Sequence, residues 1–222
     1  MITIHNLNNS RSIRMIWLME ELGLDYEIKQ YKRNKTTGLA DTDYRNLHPL
    51  GKSPIITDGE EPLVESGAIV DTILERYGNG KLQPKPGSAD WVSYRYWMHA
   101  VEGSLMPLLV LKLVLNRMET KSPFFIRPLM SVVTSKVNGA YVTPSLEGFF
   151  NYMNATLSRS PWLTGEDFTA ADIMMGYPIE AANARGGLGA NYPNIEAYVQ
   201  RIQSREAYKR ALDKNGPMEP LI

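Results

Sequence analysis

Apolar and polar positions alternate through Ile2–Asn6, fall into helical spacing from Arg11 to Leu24, and alternate again across Tyr26–Tyr31. A period of two, then of three to four, then of two again predicts a β-α-β opening. A loop through His48-Pro49-Leu50-Gly51 leads to the short run Pro54-Ile55-Ile56-Thr57, the turn Asp58-Gly59 and a second run at Pro62–Val64, which together read as a hairpin. From Ser66 onward Ile69, Val70, Ile73, Leu74 and Tyr77 recur at three and four, with Gly78 placed to close a helix. The expected order is β-α-β-loop-β-β-α.

Past Gly78 the texture changes. Gly80, Pro84, Pro86 and Gly87 crowd together and nothing strand-like follows them. A domain boundary is predicted there, with residues 1–80 as a first domain and residues 88–222 as a second, all-helical one. Helical spacing runs from Trp91 to about Glu119, Phe124 to about Tyr141, Ser145 to Ser158, Ala170 to about Ala184, and Ile195 to Leu212. Breakers stand at Pro123, Thr143-Pro144, Ser160-Pro161, Gly186-Gly187 and Tyr192-Pro193. Pro107 and Pro128 are expected to kink or delay the helices that hold them, and Pro217–Ile222 to be extended.

With 222 residues, 43% of them apolar, the chain can bury a sizeable core. Its 24 basic and 24 acidic residues split mildly, 9 against 12 through residue 80 and 15 against 12 beyond it. That balance gives no electrostatic reason to expect a nucleic acid or anionic lipid partner. There is no cysteine, which excludes a disulfide scaffold, a thiolate metal site and a resident thiol nucleophile. Any thiol chemistry must use a thiol that a ligand brings. His5, His48 and His99 stand far apart with no ligand motif joining them, so no metal is expected. The first fourteen residues carry no apolar signal core, and the apolar stretch near 105–115 is interrupted by Pro107 and Lys112, short of the roughly 20 residues a span needs. A soluble, cytoplasmic protein without a membrane partner is the expectation.

Three segments carry candidate chemistry. Ser10 precedes the helix expected from Arg11, where a hydroxyl ordinarily caps an orphan backbone N–H. Ser10, Arg11, Ser12 and Arg14 nevertheless gather polar groups at the positive end of an otherwise apolar helix, where an anion is stabilised. In Lys52-Ser53-Pro54 a cis Ser53–Pro54 bond would turn the Ser53 backbone N–H and C=O outward toward an extended ligand. Glu65-Ser66 joins a strand to a helix, so that Ser66 and the following N–H groups can hold a carboxylate while Glu65 pairs with an ammonium. Its ordinary alternative is a helix cap preceded by a surface acid. Thr169-Ala170-Ala171-Asp172 has capping-box spacing, with Phe168 and Ile173 at staple positions, and reads as structural. The aromatic and Met-rich stretch Trp91, Tyr94, Trp97, Met98 and Met106 reads chiefly as core, with part of it available to line a substrate pocket.

Asn9-Ser10-Arg11-Ser12-Ile13-Arg14 with Trp17–Leu24, Gly51-Lys52-Ser53-Pro54-Ile55-Ile56, Glu65-Ser66-Gly67-Ala68-Ile69, and Leu163-Thr164-Gly165-Glu166 through Asp172 together resemble the cytosolic glutathione S-transferase superfamily in its bacterial and fungal serine-type branch. The resemblance covers essentially the whole chain and lies in the order and spacing of the motifs. It implies an α/β plus all-α architecture: a thioredoxin-like N-terminal domain that holds glutathione, a helical-bundle C-terminal domain for the second substrate, and a homodimer. By position, Ser10 matches the serine that hydrogen-bonds the glutathione sulfur. Ser53 and Pro54 match the residue before the cis proline and that proline, Glu65 and Ser66 the pair that holds the γ-glutamyl head, and Lys52 is placed for the glycyl carboxylate. Ser53 replaces the more usual Val or Ile, which matters little if its contacts are through the backbone. Arg11-Ser12 replaces the Pro-Cys of other serine-type classes and leaves Arg11 and Ser12 as further candidates for a share at sulfur. Glu102, on the first helix of the second domain, is expected to reach across the dimer to the γ-glutamyl ammonium in the other subunit; a solvated or locally paired glutamate is the alternative.

The implied mechanism is feasible in size. Lowering a thiol pKa of about 8.5 by about two units requires near 2.7 kcal/mol of preference for the thiolate. A hydrogen bond to a charged acceptor supplies about 1.5–3 kcal/mol and a helix N-terminus about 0.3–1, so Ser10 suffices without a general base. The thiolate then attacks a small hydrophobic electrophile held nearby. A glutathione-dependent peroxidase or disulfide reductase on the same fold is the alternative activity, and a non-catalytic binding module the third reading.

Overall fold

The computed structural model describes residues 1–34, 36–184, 188 and 191–216. The Gly186-Gly187 breaker and the tail Pro217–Ile222 lie outside them. The chain opens with β1 (Ile2–Leu7), α1 (Ile13–Leu22) and β2 (Tyr26–Tyr31), followed by a short α2 (Thr42–Arg45), then β3 (Ile55–Asp58), β4 (Glu61–Val64) and α3 (Ser66–Tyr77). The strands form one sheet in the order β2-β1-β3-β4, with β1 parallel to β2 and antiparallel to β3. This is the expected β-α-β and hairpin, assembled as a four-stranded mixed sheet.

The register fixes which loops meet. His5 pairs with Ile55 and Ile55 with Val64, so the segment after β1, the Ser53-Pro54 pair before β3 and the Glu65-Ser66 pair after β4 emerge at one end of the sheet.

Past Ser88 the described chain is helical: α4 (Ala89–Ala100), α5 (Met106–Thr120), α6 (Arg127–Val137), α7 (Thr143–Leu157), α8 (Ala170–Ala184), α9 (Pro193–Ser204) and α10 (Glu206–Asn215). The helix break expected at Pro144 does not occur, and Pro107, expected to kink or delay its helix, lies inside the continuous helix Ala89–Thr120. Each proline instead follows one π-helical turn, Val101–Leu105 and Asn138–Val142, and the helix runs on. A proline ring in an α-helix meets the carbonyl four residues back, and the wider turn relieves that crowding. Conversely, the single helix expected over Ile195–Leu212 is two, because Arg205 is extended (φ −69°, ψ 129°). The continuous helix Ala89–Thr120 is longer and more apolar than the interruptions at Pro107 and Lys112 suggested, sufficient by length and composition to cross a membrane. In the fold its Trp97, Val101, Leu105 and Leu109 are buried in the core.

The larger of two apolar clusters among the described residues extends from Ile4, Ile16 and Leu18 through Met174 and Ile179 on α8 to Tyr198 and Ile202 on α9. Trp17 is its junction: it lies 4.8 Å from the Tyr208 ring and 5.5 Å from Phe168. Its ring comes so close to Gly176 on α8 that an added Cβ would meet it at 2.7 Å. Glycine is required there by the approach of the helices.

α10 is bonded to α1 by ions as well as by Tyr208. Glu21 takes Arg205 through two hydrogen bonds of 2.6 and 2.7 Å. Glu20 accepts from Tyr26 (2.6 Å), Arg210 (2.6 Å) and Lys214 (2.5 Å). Burial of the Glu20 carboxyl works against its charge, but the hydrogen bonds from Lys214, Tyr26 and Arg210 outweigh it and hold the pKa at about 2, against an ordinary 4.5. A folded pKa below the unfolded one stabilises the fold above pH 4.5, and that contribution is lost as pH falls toward 2. Because Arg210 and Lys214 are half-exposed, Glu20→Gln is expected to cost about 1–2 kcal/mol at neutral pH rather than the full shift. Urea titrations of both proteins at neutral pH and near pH 2.5 test this, the difference shrinking at the lower pH.

Candidate active site

At the sheet end, helical hydrogen bonding in α1 begins at the Ser12 carbonyl, so the helix starts two residues later than expected and Ser10 is not its cap. Ser10 Oγ instead accepts the Ser12 backbone N–H at 3.2 Å, and Ser12 Oγ accepts the Leu7 N–H at 3.3 Å. The two hydroxyls lie 2.7 Å apart. The Ser53 hydroxyl closes a triangle with them, 2.8 Å from each. The Ser53–Pro54 bond is cis. The contribution of the Ser53 side chain was not legible in the sequence, where only its backbone was given a role. The signal lay in three serines on two loops that the strand register brings together. Ser12, with no exposed surface, lies behind the other two; Ser10 is 5% exposed and Ser53 partly so.

Glu65 stands at φ 68°, ψ 124°, a conformation that a non-glycine residue adopts at a cost on the order of 1–3 kcal/mol. That turn leaves the Glu65 side chain exposed, with the buried Ser66 as the first residue of α3. Lys52 is exposed beside Ser53. The remaining tie is Arg14, the second residue of α1 and almost wholly buried. Its guanidinium donates to Ser66 Oγ at 3.4 Å and to Glu102, and its centre lies 5.6 Å from the Tyr177 ring. Burial pulls the Arg14 pKa below its usual value, and Glu102 opposes that pull. Arg11 donates to the other Glu102 oxygen at 2.7 Å. Glu102 is thus paired locally with two arginines of its own chain, from its place in the π turn that precedes Pro107. Two Arg14 nitrogens, Nε and one terminal nitrogen, are buried without a hydrogen-bond partner among the described residues.

The site therefore combines a hydroxyl cluster, a cis X–Pro backbone edge, and a helix start with an acid beside it, all at one sheet end. The chain is similar to known proteins over most of its length. The profiles described as "Glutathione S-transferase, N-terminal domain" and "Glutathione S-transferase, C-terminal domain" match residues 1–75 and 125–215. Glutathione S-transferase 3 of Schizosaccharomyces pombe is 36% identical over 96% of this chain and 88% of its own. The chain belongs to the glutathione S-transferase family. Glutathione S-transferase 1 of Saccharomyces cerevisiae is 29% identical over 96% of this chain and 94% of its own. The crystal structure of a glutathione S-transferase from Actinobacillus pleuropneumoniae superposes with a TM-score of 0.80 at 32% identity, covering 99% of this chain and 95% of that one. The thioredoxin-like domain followed by a helical domain is the fold of this transferase family, as the sequence resemblance implied.

Proposed function

We propose that this transferase binds glutathione across the sheet end and delivers its thiolate to small hydrophobic electrophiles held against the helical domain. The observation that carries the reading is that the strand register brings the Ser10 hydroxyl at the approach to α1, the cis Ser53–Pro54 bond and Ser66 at the start of α3 to one sheet end, where Arg14 of α1 donates to Ser66. Ser10 donates to the sulfur, the Ser53 backbone beside Pro54 pairs with the cysteinyl backbone, and Lys52 meets the glycyl carboxylate. Ser66 and the first N–H groups of α3 hold the γ-glutamyl carboxylate, while Glu65 meets the ammonium. Arg11 shapes the rim through Glu102. In the homodimer that family membership favours, Glu102, still 28% exposed, has acceptor capacity left for the ammonium of the partner's glutathione. A cytoplasmic setting fits this co-substrate.

Calorimetry with glutathione tests the assignment. Glu65→Gln and Ser66→Ala are each expected to weaken binding by about 1–3 kcal/mol, since a charged head group loses its partner. Glu102→Gln is expected to weaken binding and to reduce the tightening of the dimer by glutathione, read by sedimentation. Unchanged affinity in both Glu65→Gln and Ser66→Ala would remove the glutathione assignment for this pair. An aryl halide, an isothiocyanate, a hydroperoxide and a glutathione mixed disulfide, assayed side by side, separate transfer from peroxidase and reductase activity.

A further inference from the structure

The three hydroxyls of Ser10, Ser12 and Ser53 have three O···O contacts, each 2.7–2.8 Å, and only three protons to make them. With every edge made, no proton is left to point at a ligand. One edge must therefore open when a thiolate arrives. Ser12 is the wrong residue to open it, because it has no exposed surface and its oxygen is held from behind by the Leu7 N–H. Ser10 is the right one: its oxygen stays anchored by the Ser12 N–H when its own proton turns away from Ser12 toward the sulfur. What remains is a chain of donors, Ser12 to Ser53 and Ser53 to Ser10, ending on the ligand. Near Ser53 stands Tyr44, fully buried, its hydroxyl without a hydrogen bond of ordinary geometry among the described residues. Burial pushes the Tyr44 phenol up and the nearby Ser53 hydroxyl opposes it.

We propose that the Ser53 hydroxyl is a positioning residue for Ser10, donating to the Ser10 oxygen as Ser10 turns its proton to the bound thiolate. A hydroxyl that accepts a hydrogen bond becomes a stronger donor, and chains of such bonds reinforce one another. The inference rests on the glutathione reading and adds to it a side chain that family position leaves to the backbone. Ser53 acts through Ser10, so its contribution exists only when Ser10 is present.

The test is the ultraviolet thiolate absorbance of bound glutathione titrated against pH in wild type, Ser53→Ala, Ser53→Thr, Ser10→Ala and the Ser10→Ala/Ser53→Ala double variant. Glutathione affinity is measured well below the bound-thiol pKa as a control, where it is expected to stay unchanged in Ser53→Ala, whereas above the free-thiol pKa it is expected to weaken by the roughly threefold that a half-unit shift requires. The expected results are a rise of about half a unit in the bound-thiol pKa of Ser53→Ala, none in Ser53→Thr, and no further rise when Ser53→Ala is added to Ser10→Ala. The pH profile of aryl halide turnover is expected to move by the same amount. A Ser53→Ala titration identical to wild type overturns the proposal, as does an equal shift in both Ser10 backgrounds, which would make Ser53 an independent donor. Should Ser53→Ala fail to fold, a Ser53→Thr titration displaced from wild type overturns it. Absence of a thiolate band in wild type itself overturns the glutathione reading, and this inference with it, whereas a normal wild-type band with an unmoved Ser53→Ala overturns this inference alone.

Discussion

Ser10→Ala is expected to lower turnover at neutral pH by about 10- to 100-fold while leaving the fold intact and leaving unchanged the affinity for the protonated glutathione thiol, read well below its bound pKa. The donor lost supplies about 1.5–3 kcal/mol to a charged acceptor, which corresponds to a rise of one to two units in the bound-thiol pKa. Substrate binding in the helical domain is untouched, so the loss lies in the fraction of thiolate. The deficit must therefore close as pH is raised past the variant's thiol pKa. A pH series of kcat/KM for an aryl halide, with thiolate absorbance beside it, checks both halves of this expectation. A deficit that stays constant across the series would mean that Ser10 acts on the transition state and not on the thiol.

Asp172→Ala is expected to cost about 3–5 kcal/mol of stability at neutral pH without touching the site chemistry. The carboxylate is wholly buried at the start of α8 and accepts from the Leu163 N–H at 3.1 Å, the Thr169 N–H at 2.9 Å, the Thr169 hydroxyl at 3.3 Å and the Tyr198 hydroxyl at 3.0 Å. Removing it leaves those donors buried and unpaired, which is why the cost exceeds that of an ordinary cap. Burial pushes the Asp172 carboxyl up to about 6, and the four hydrogen bonds oppose that rise. Because the folded pKa lies above the unfolded value near 3.8, this group binds its proton more tightly in the folded chain. Its contribution to stability therefore falls as pH rises from about 4 to about 6. Urea denaturation of wild type and Asp172→Ala across that range measures the cost and the slope, and the slope is expected to be shallower in the variant.

The strands and their order were readable because alternation over Ile2–Asn6 and Tyr26–Tyr31 is a local signal, and the Asp58-Gly59 turn pins the hairpin. Ser10, Ser53 and Glu65-Ser66 were placed by motif order, and the β1–β3–β4 register is what brings them to one sheet end. What the sequence concealed was non-local. Pro144 reads as a breaker, and only the preceding π turn shows how a helix absorbs it. Arg205 splits the last helical segment through its backbone angles, with no glycine or proline to announce it. Ser53 looked like a neutral exchange for Val or Ile, because its partners are 41 and 43 residues away. Glu102 was a helix acid of unknown face until Arg11 and Arg14 were seen to flank it.

The docking of α10 on α1 bears on how the protein is made. Glu20 and Glu21 on the helix that leads from the thiol site find their partners 184 to 194 residues later in the chain. During synthesis from the N-terminus, the sheet can form while that outer side of α1, Trp17 included, still faces water or a chaperone. Phe168 and α8 supply part of the backing of α1 through Trp17, and Arg205, Tyr208 and Arg210 complete it only once they have left the ribosome. A nascent chain that ends after α9 would thus present the binding loops on an α1 that lacks its α10 ion pairs, and full activity is expected only when α10 has docked.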